Sequence, residues 1–292
     1  MNQEMLGRLR AVTVVCPDFD ASTAAYREYL GYRLAEAGRI PVSLAAAWGA
    51  PSCAGARYEW LLPECGGDVG LRLIDGASSP IYRPYASWGW NAIELSVSDC
   101  DRAVAQLSEG PFRIVGPPAD LSFADGALRA GQLVGPAGEV LYLNQIKRAV
   151  PGFELPAARC LVDRPFIVIL HAADAASGIA AYRERFGNVG SDTFEMPVEF
   201  MAEYQDSPRD HAYRLGTVTL AGGSYFEIDG APPHIGARRV TPGALPAGIA
   251  MVSVESSVAA GGPYPPGSLY GGRAVSRIEG VAGEWLELIS PV

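Results

Sequence analysis

Two glutamates have the surroundings that make a carboxyl chemically useful: Glu227 within SYFEID and Glu287 within EWLELI. Apolar and aromatic residues flank both. A carboxyl there loses part of its hydration, so its pKa rises toward the range that suits proton transfer. Two such groups facing one another across a cavity would push their pKa values apart and leave one acid and one base. The plainer alternative for each is a lean outward or an ion pair, and Arg238, Arg239, Arg273 and Arg277 are close in sequence. Two carboxylates also form a weak oxygen site for Mg²⁺ or Ca²⁺.

Other chemistry is thinly supplied. The three histidines are His171, at the end of an apolar run, His211 in DSPRDHAYR and His234 in APPHIG, the last two read as loop positions. The five cysteines are an odd, scattered set without CxxC spacing, which argues against structural zinc and against a disulfide framework. A reducing, cytoplasmic setting is the corresponding expectation. GGDVG and AGGS lack the strand-to-helix context of a phosphate loop, and no GxSxG occurs. A net charge of -9 and a pI near 4.9 repel phosphate backbones, so nucleic acid is not an expected partner. No run of 18 apolar residues is present, and the first residues lack the apolar stretch of a signal peptide, so no membrane association is expected. A small-molecule ligand is the expected partner.

The elements that must position these groups announce themselves by repetition. AAYRE occurs at Ala24 and again at Ala180, 156 positions later. Around the first copy, AVTVVC (Ala11 to Cys16) reads as a strand, Asp18 to Ser22 as a helix cap, and Gly31 as a helix stop. Around the second, FIVIL (Phe166 to Leu170), Asp174 with Ser177, and Gly187 repeat that order. Downstream, VGLRLIDG (Val69 to Gly76) matches GSYFEIDG (Gly223 to Gly230), and GPAGEVLYL (Gly135 to Leu143) matches GVAGEWLEL (Gly280 to Leu288). NAIELSVSD (Asn91 to Asp99) matches GIAMVSVES (Gly248 to Ser256). A duplication along the whole chain accounts for this. Each half divides again into β-α-β-β-β quarters, at 1–85, 86–149, 153–240 and 241–292. Gly261, Gly262, Pro263, Pro265 and Pro266 leave the last quarter little room for a helix.

A strand closed by Asp, a helix carrying AxYR and a glycine stop resemble the vicinal oxygen chelate superfamily of glyoxalases, extradiol dioxygenases and antibiotic-resistance proteins. The resemblance covers nearly the whole chain in the two-domain, four-module form. It implies an α+β fold of four βαβββ modules paired into two cup-shaped mixed-sheet domains, an N-terminal one over 1–149 and a C-terminal one over 150–292. It also implies a divalent metal inside a cup, ligated from the first and last strands of the modules. Those positions fall on Ala11, Ala92, Ile167 and either Gly248 or Ile249, and on Leu73, Tyr142, Glu227 and Glu287. Imidazole is missing from all of them, so no metal ligands and no cofactor are expected. A catalytic Fe(II) site wants two histidines and a carboxylate.

Within that frame Glu287 and Glu227 are the expected catalytic pair in one cup. His171, of the same strand parity as Ile167, is their expected helper, with a strand-end histidine touching solvent as the alternative. Glu94 shares parity with Ala92 and points inward, Tyr142 can donate to a substrate oxygen, and Trp88 and Trp90 of YRPYASWGW can wall a flat apolar ligand or merely pack a linker. Three functions stay open. One is a metal-independent lyase or isomerase acting on a hydrophobic or aromatic molecule, and another is a non-catalytic binding or resistance protein. The third is a metal-dependent glyoxalase- or dioxygenase-like enzyme with atypical ligands. A homodimer is compatible with each, though four modules can complete both cups within one chain.

Overall fold

The computed structural model describes residues 5–77, 82–259, 261 and 269–291. Module one comprises β1 (Leu9–Cys16), α1 (Phe19–Tyr29), β2 (Arg33–Arg39), α2 (Val42–Ala47), β3 (Arg57–Leu62) and β4 (Gly70–Asp75). Module two has β5 (Gly89–Val97), α3 (Cys100–Ser108), β6 (Arg113–Asp120), β7 (Leu128–Val134) and β8 (Val140–Ile146). Module three has β9 (Val162–Ala172), α4 (Ala175–Phe186), β10 (Phe194–Pro197), α5 (Glu199–Tyr204), β11 (Ala212–Leu220) and β12 (Ser224–Gly230). Module four has β13 (Ile249–Glu255), β14 (Val275–Glu279) and β15 (Trp285–Ile289), with no helix among its described residues. Gly262, Pro263, Pro265 and Pro266 lie outside the described residues.

The helices start and stop as their caps require. Asp18, Asp99 and Asp174 each accept a hydrogen bond from the backbone N–H three residues on, satisfying a donor that the helix cannot. Gly31 and Gly187 follow α1 and α4 with positive φ, a conformation that glycine adopts without cost.

Neither sheet matches a half of the sequence. The seven-stranded sheet runs β14-β15-β13-β1-β4-β3-β2, and the eight-stranded sheet runs β10-β11-β12-β9-β5-β8-β7-β6. Module one therefore shares a sheet with module four, and module two with module three. The seams are antiparallel pairings of first strands, β1 with β13 and β5 with β9. This corrects the pairing expected inside 1–149 and inside 150–292: each half supplies one module to each sheet. Sequence similarity shows which segments share an origin, not which strands exchange hydrogen bonds.

The helix-bearing faces of both sheets meet in one apolar core that includes Tyr26, Leu71, Leu141, Tyr182, Phe226 and Leu286. The other faces curl inward around two separate clusters, one per cup.

The repeated words have a joint explanation in the central core. The Tyr26 hydroxyl donates to the Glu139 carboxylate, and the Tyr182 hydroxyl donates to Glu284 Oε1 at 2.6 Å. The second carboxylate oxygen of each glutamate accepts from the backbone two residues earlier, Ala137 N–H at 2.9 Å and Ala282 N–H at 2.7 Å. A Cβ on Gly135 would stand 1.9 Å from Glu139 Oε1, and one on Gly280 would stand 1.8 Å from Glu284 Oε1, so both turns require glycine. AAYRE and G-x-A-G-E are thus two parts of one buried latch, made once in each half. Burial pushes the Glu139 carboxyl up to about 7 and raises Glu284 as well.

Cys65, in the β3–β4 connection, and Cys160, just before β9, form a disulfide with Cα atoms 5.7 Å apart. It ties a loop of one sheet to the entry of the other, and it corrects the expectation of unpaired cysteines on which the cytoplasmic reading rested. The other three cysteines are buried and free. Closing 95 residues of chain stabilises the fold mainly by restricting the unfolded state, by about 2–4 kcal/mol. Denaturation with and without dithiothreitol checks this. The wild-type midpoint falls under reductant, whereas Cys65→Ser starts at the lower value and does not respond. Among the described residues no helix is long and apolar enough to cross a membrane.

Candidate functional site

The eight-stranded sheet encloses a cavity of about 130 Å³. Strand alternation aims Glu94 of β5, Tyr142 and Asn144 of β8, and Glu227 and Asp229 of β12 into it. Register sets their neighbours: Glu94 lies opposite Tyr142 on one side and Ile167 on the other, and Glu227 lies opposite Thr217. The remaining wall is apolar, with Phe153, Phe166, Met196 and Leu215 among its residues. At the rim, Phe123 of module two and Phe194 of module three bring their rings to 5.8 Å and close the cup across its open edges.

Burial favours the acid form of all three carboxyls. Burial pushes Glu94 well above the ordinary carboxylate range, and Glu227 and Asp229 add to that push. Burial does the same to Glu227, with Asp229 contributing, and it lifts Asp229 to about 8. Asn144 donates to Glu94 Oε2 at 2.5 Å. Asp229 Oδ1 is buried without a hydrogen-bond partner among the described residues. The Tyr142 hydroxyl sits 3.2 Å from that of Tyr85.

His171 stands behind this wall rather than on it. It is fully buried, with Nε2 3.4 Å from Asp229 Oδ2, Nδ1 3.3 Å from Gln205 Nε2, and the Tyr85 ring 4.7 Å away. Burial, with Arg238 adding to it, drives its pKa down to about 3, so the ring is neutral. The expected strand parity holds, but the ring neither lines the cavity nor touches solvent as in the alternative reading. His211 and His234 lie in loops, as expected.

Glu287 is elsewhere. It occupies the other cup, so it cannot face Glu227, and that catalytic pairing is corrected. Its Oε1 accepts from Trp48 Nε1 at 2.6 Å and from the Tyr270 hydroxyl at 2.7 Å. Its Oε2 accepts from Arg72 Nη2 at 3.1 Å and from Ser253 Oγ at 2.5 Å. Arg72 also lies over the Trp48 ring at 4.7 Å and donates to Thr13 Oγ1 at 2.7 Å. Carboxylate and guanidinium are both buried, and no oxygen of Glu287 is left for a substrate. An arginine partner was the plain alternative, but the partner is 215 residues away rather than a sequence neighbour.

The aromatic expectation also moves. Trp90 is buried in the core between the sheets, where its indole N–H donates to Trp285 O at 2.9 Å and its ring packs 4.9 Å from Phe226. Trp88 packs against the same core. Neither lines the cavity, and YRPYASWGW serves as linker packing, except that Tyr85 supports Tyr142 and His171. The aromatic wall is made instead by phenylalanines that are far apart in sequence. Asp229 was also passed over, although IDG is one of the repeated words and strand parity from Glu227 finds it.

Register exposes a one-residue slip in the repeat as well. Ala11 pairs with Gly70, but Ile167 pairs with Tyr225. Arg72 is therefore the counterpart of Glu227, two residues further along each strand, while Leu73 faces the core between the sheets. The first cup holds a cation where the second holds an acid.

This architecture, two sheets of paired βαβββ-type modules curled into cups, is the vicinal oxygen chelate fold. In three dimensions the chain is similar to glyoxalase I from Zea mays, with a TM-score of 0.65 and 13% identity over 97% of this chain and 92% of that one. It is also similar to a putative dioxygenase from Bacillus subtilis subsp. subtilis str. 168, with a TM-score of 0.58 and 10% identity over 98% of this chain and 86% of that one. At such identities the likeness carries the fold and not an activity. No family model and no curated protein matches the sequence.

The fold family implies a divalent metal, and the cavity's donors do not fit one. Among the described residues, one set of three His, Cys, Asp or Glu has ligand atoms within 4.8 Å of one another, and it is Cys65, Cys160 and Asp163. There the sulfurs are bonded to each other, and Asp163 accepts from Arg159 Nε, from Arg159 Nη2 and from two backbone N–H groups. Glu94, Glu227 and Asp229 on the cavity wall, with His171 behind it, do not bring three ligand atoms within that distance of one another.

Proposed function

We propose that the cup of the eight-stranded sheet binds a small, largely apolar organic molecule and moves a proton on it, as a metal-independent lyase or isomerase. The observation that supports this is the set of three carboxyls, Glu94, Glu227 and Asp229, kept protonated inside an apolar cavity. Burial raises all three from the ordinary carboxylate range, Asp229 to about 8, in the direction that suits a general acid or base at neutral pH. Substrate that expels the remaining water and ionises one carboxyl leaves its neighbour as the acid, the division of labour that paired carboxyls adopt. Asn144 fixes the orientation of Glu94, and Tyr142 offers a hydroxyl to a developing negative oxygen.

Proton abstraction leaves a label. In D₂O, a panel of apolar ketones and aldehydes incubated with the protein acquires deuterium next to the carbonyl for those that fit, as read by mass spectrometry. Glu227→Gln keeps binding and loses exchange by at least about 100-fold, the usual scale of general acid–base catalysis. Exchange unchanged in Glu227→Gln, Asp229→Asn and Glu94→Gln alike rejects proton chemistry at this site. The second reading is a binding protein that sequesters its ligand, favoured by the phenylalanine pair closing the rim. It predicts stoichiometric binding with no exchange.

A further inference from the structure

The wall of this cavity has acids and no bases. Its titratable lining groups are Glu94, Glu227, Asp229 and Tyr142, and neither lysine nor arginine contributes to it. Among the described residues Glu94 accepts a hydrogen bond from Asn144, and Asp229 Oδ2 has His171 Nε2 at 3.4 Å. Asp229 lines the cup at 1% exposure, and its buried Oδ1 has no hydrogen-bond partner among the described residues. Buried polar atoms are nearly always satisfied, so an orphaned carboxyl oxygen on a cavity wall marks a place where a bound molecule donates.

The sister cup shows what this scaffold does when a buried carboxylate is satisfied internally. There the position equivalent to Glu227 is Arg72, whose guanidinium reaches Glu287 at 3.1 Å while lying 4.7 Å over an aromatic ring. In the eight-stranded cup the counterpart of Arg72 is Glu227 and that of Glu287 is Tyr142, so the cation is absent, the acids stand at other positions, and a space of about 130 Å³ lies beside aromatic side chains.

We infer that the ligand of the eight-stranded cup is an organic cation, an ammonium or guanidinium group on an apolar body, which supplies from outside the charge that Arg72 supplies in the other cup. The inference rests on the reading of this cavity as the ligand site and names its substrate class. Carboxyls on two strands, separated along the wall, match the several N–H donors of such a group better than a single point charge. The body of the ligand fills the phenylalanine- and methionine-lined remainder. The elements packed around the acids add no competing cation: His171 behind Asp229 is neutral, and Arg238 acts on that ring from beyond the wall. Because the empty site holds its carboxyls protonated, a cation that binds beside them displaces protons into solution.

Three probes of one shape and different charge test this: phenethylamine, 2-phenylethanol and phenylacetate, titrated calorimetrically at pH 7.5 in two buffers of different ionisation enthalpy. The amine binds at least tenfold tighter than the alcohol, its apparent enthalpy changes with buffer because protons are released, and phenylacetate does not bind. Asp229→Asn and Glu227→Gln each bring the amine to within about threefold of the alcohol while alcohol binding stays as in wild type. Alcohol binding as tightly as amine, or amine binding with no proton release, overturns the cation and leaves the cavity as the ligand site. Failure of all three probes, with the rim opened by Phe123→Ala as well, overturns both readings together.

Discussion

Arg72→Met lowers the stability of the protein by about 3–5 kcal/mol, on the order of 10 °C in melting temperature, without touching the cavity of the other cup. The size of the effect comes from what remains. Methionine fills most of the arginine's space, but Glu287 keeps its burial and loses the cation that donates to it at 3.1 Å. Trp48, Tyr270 and Ser253 still donate to it, and neutral hydrogen bonds cannot replace a charge. The double variant Arg72→Met/Glu287→Met recovers most of the loss, because an apolar pair of similar volume avoids the desolvation cost on both sides. Urea denaturation of the two variants measures this. A single variant as stable as wild type would mean that the Arg72–Glu287 ion pair contributes no net stability. Ligand binding and turnover in the eight-stranded cup are unchanged in the double variant, which separates the two cups experimentally.

The second large effect is on pH. Glu94, Glu227 and Asp229 have folded-state pKa values raised by burial, Asp229 to about 8. A raised carboxyl contributes stability that is complete below its unfolded pKa and is lost as pH climbs through the folded one. His171 works the other way: lowered to about 3, its contribution is complete above the unfolded value of 6.5 and is lost as pH falls. Between pH 6.5 and 8 the histidine is silent and the acids act alone, joined by Glu139 up to about 7. Each carboxyl that is protonated when folded and ionised when unfolded removes about 1.4 kcal/mol per pH unit. The ligand-free protein therefore loses stability as pH rises from 6.5 toward 8, with Asp229 contributing up to about 1.4 kcal/mol per pH unit, and Asp229→Asn flattens the slope and raises stability at pH 8. Urea midpoints at the two pH values provide the check. A flat wild-type profile across that window would show the carboxyls to be ionised and solvated.

Much of this was legible in the chain, and unevenly so. The duplicated words identified the modules, and the caps at Asp18 and Asp174 and the glycines after α1 and α4 set helix boundaries, because those signals are local and have one physical meaning. Alternation correctly sent Glu94, Tyr142 and Glu227 inward. Partnership was not legible. Nothing near Glu287 in sequence points to Arg72, and whether a buried acid is a catalyst or half of an ion pair depends on a residue from another module. Trp88 and Trp90 failed for a related reason, since an aromatic cluster looks the same whether it lines a pocket or packs a linker. The slip between Leu73 and Arg72 arose because matching by wording ignores register, and one residue of slip sends a side chain to the opposite face. Helices α2 and α5, each of six residues, carry too weak a periodic signal to be read, yet α2 ends at Trp48 and α5 brings Met201 to the cavity.

The crosswise assembly of the sheets has a consequence for cutting the molecule. A break in the connection between β8 and β9 separates two pieces that look like self-sufficient halves and are not. Each would expose two first strands, β1 and β5 on one piece and β9 and β13 on the other, with their rows of amide and carbonyl groups unmatched. Those bare margins are complementary only to each other, so co-expressed fragments recombine into the native arrangement, while either fragment alone is left to self-associate or precipitate.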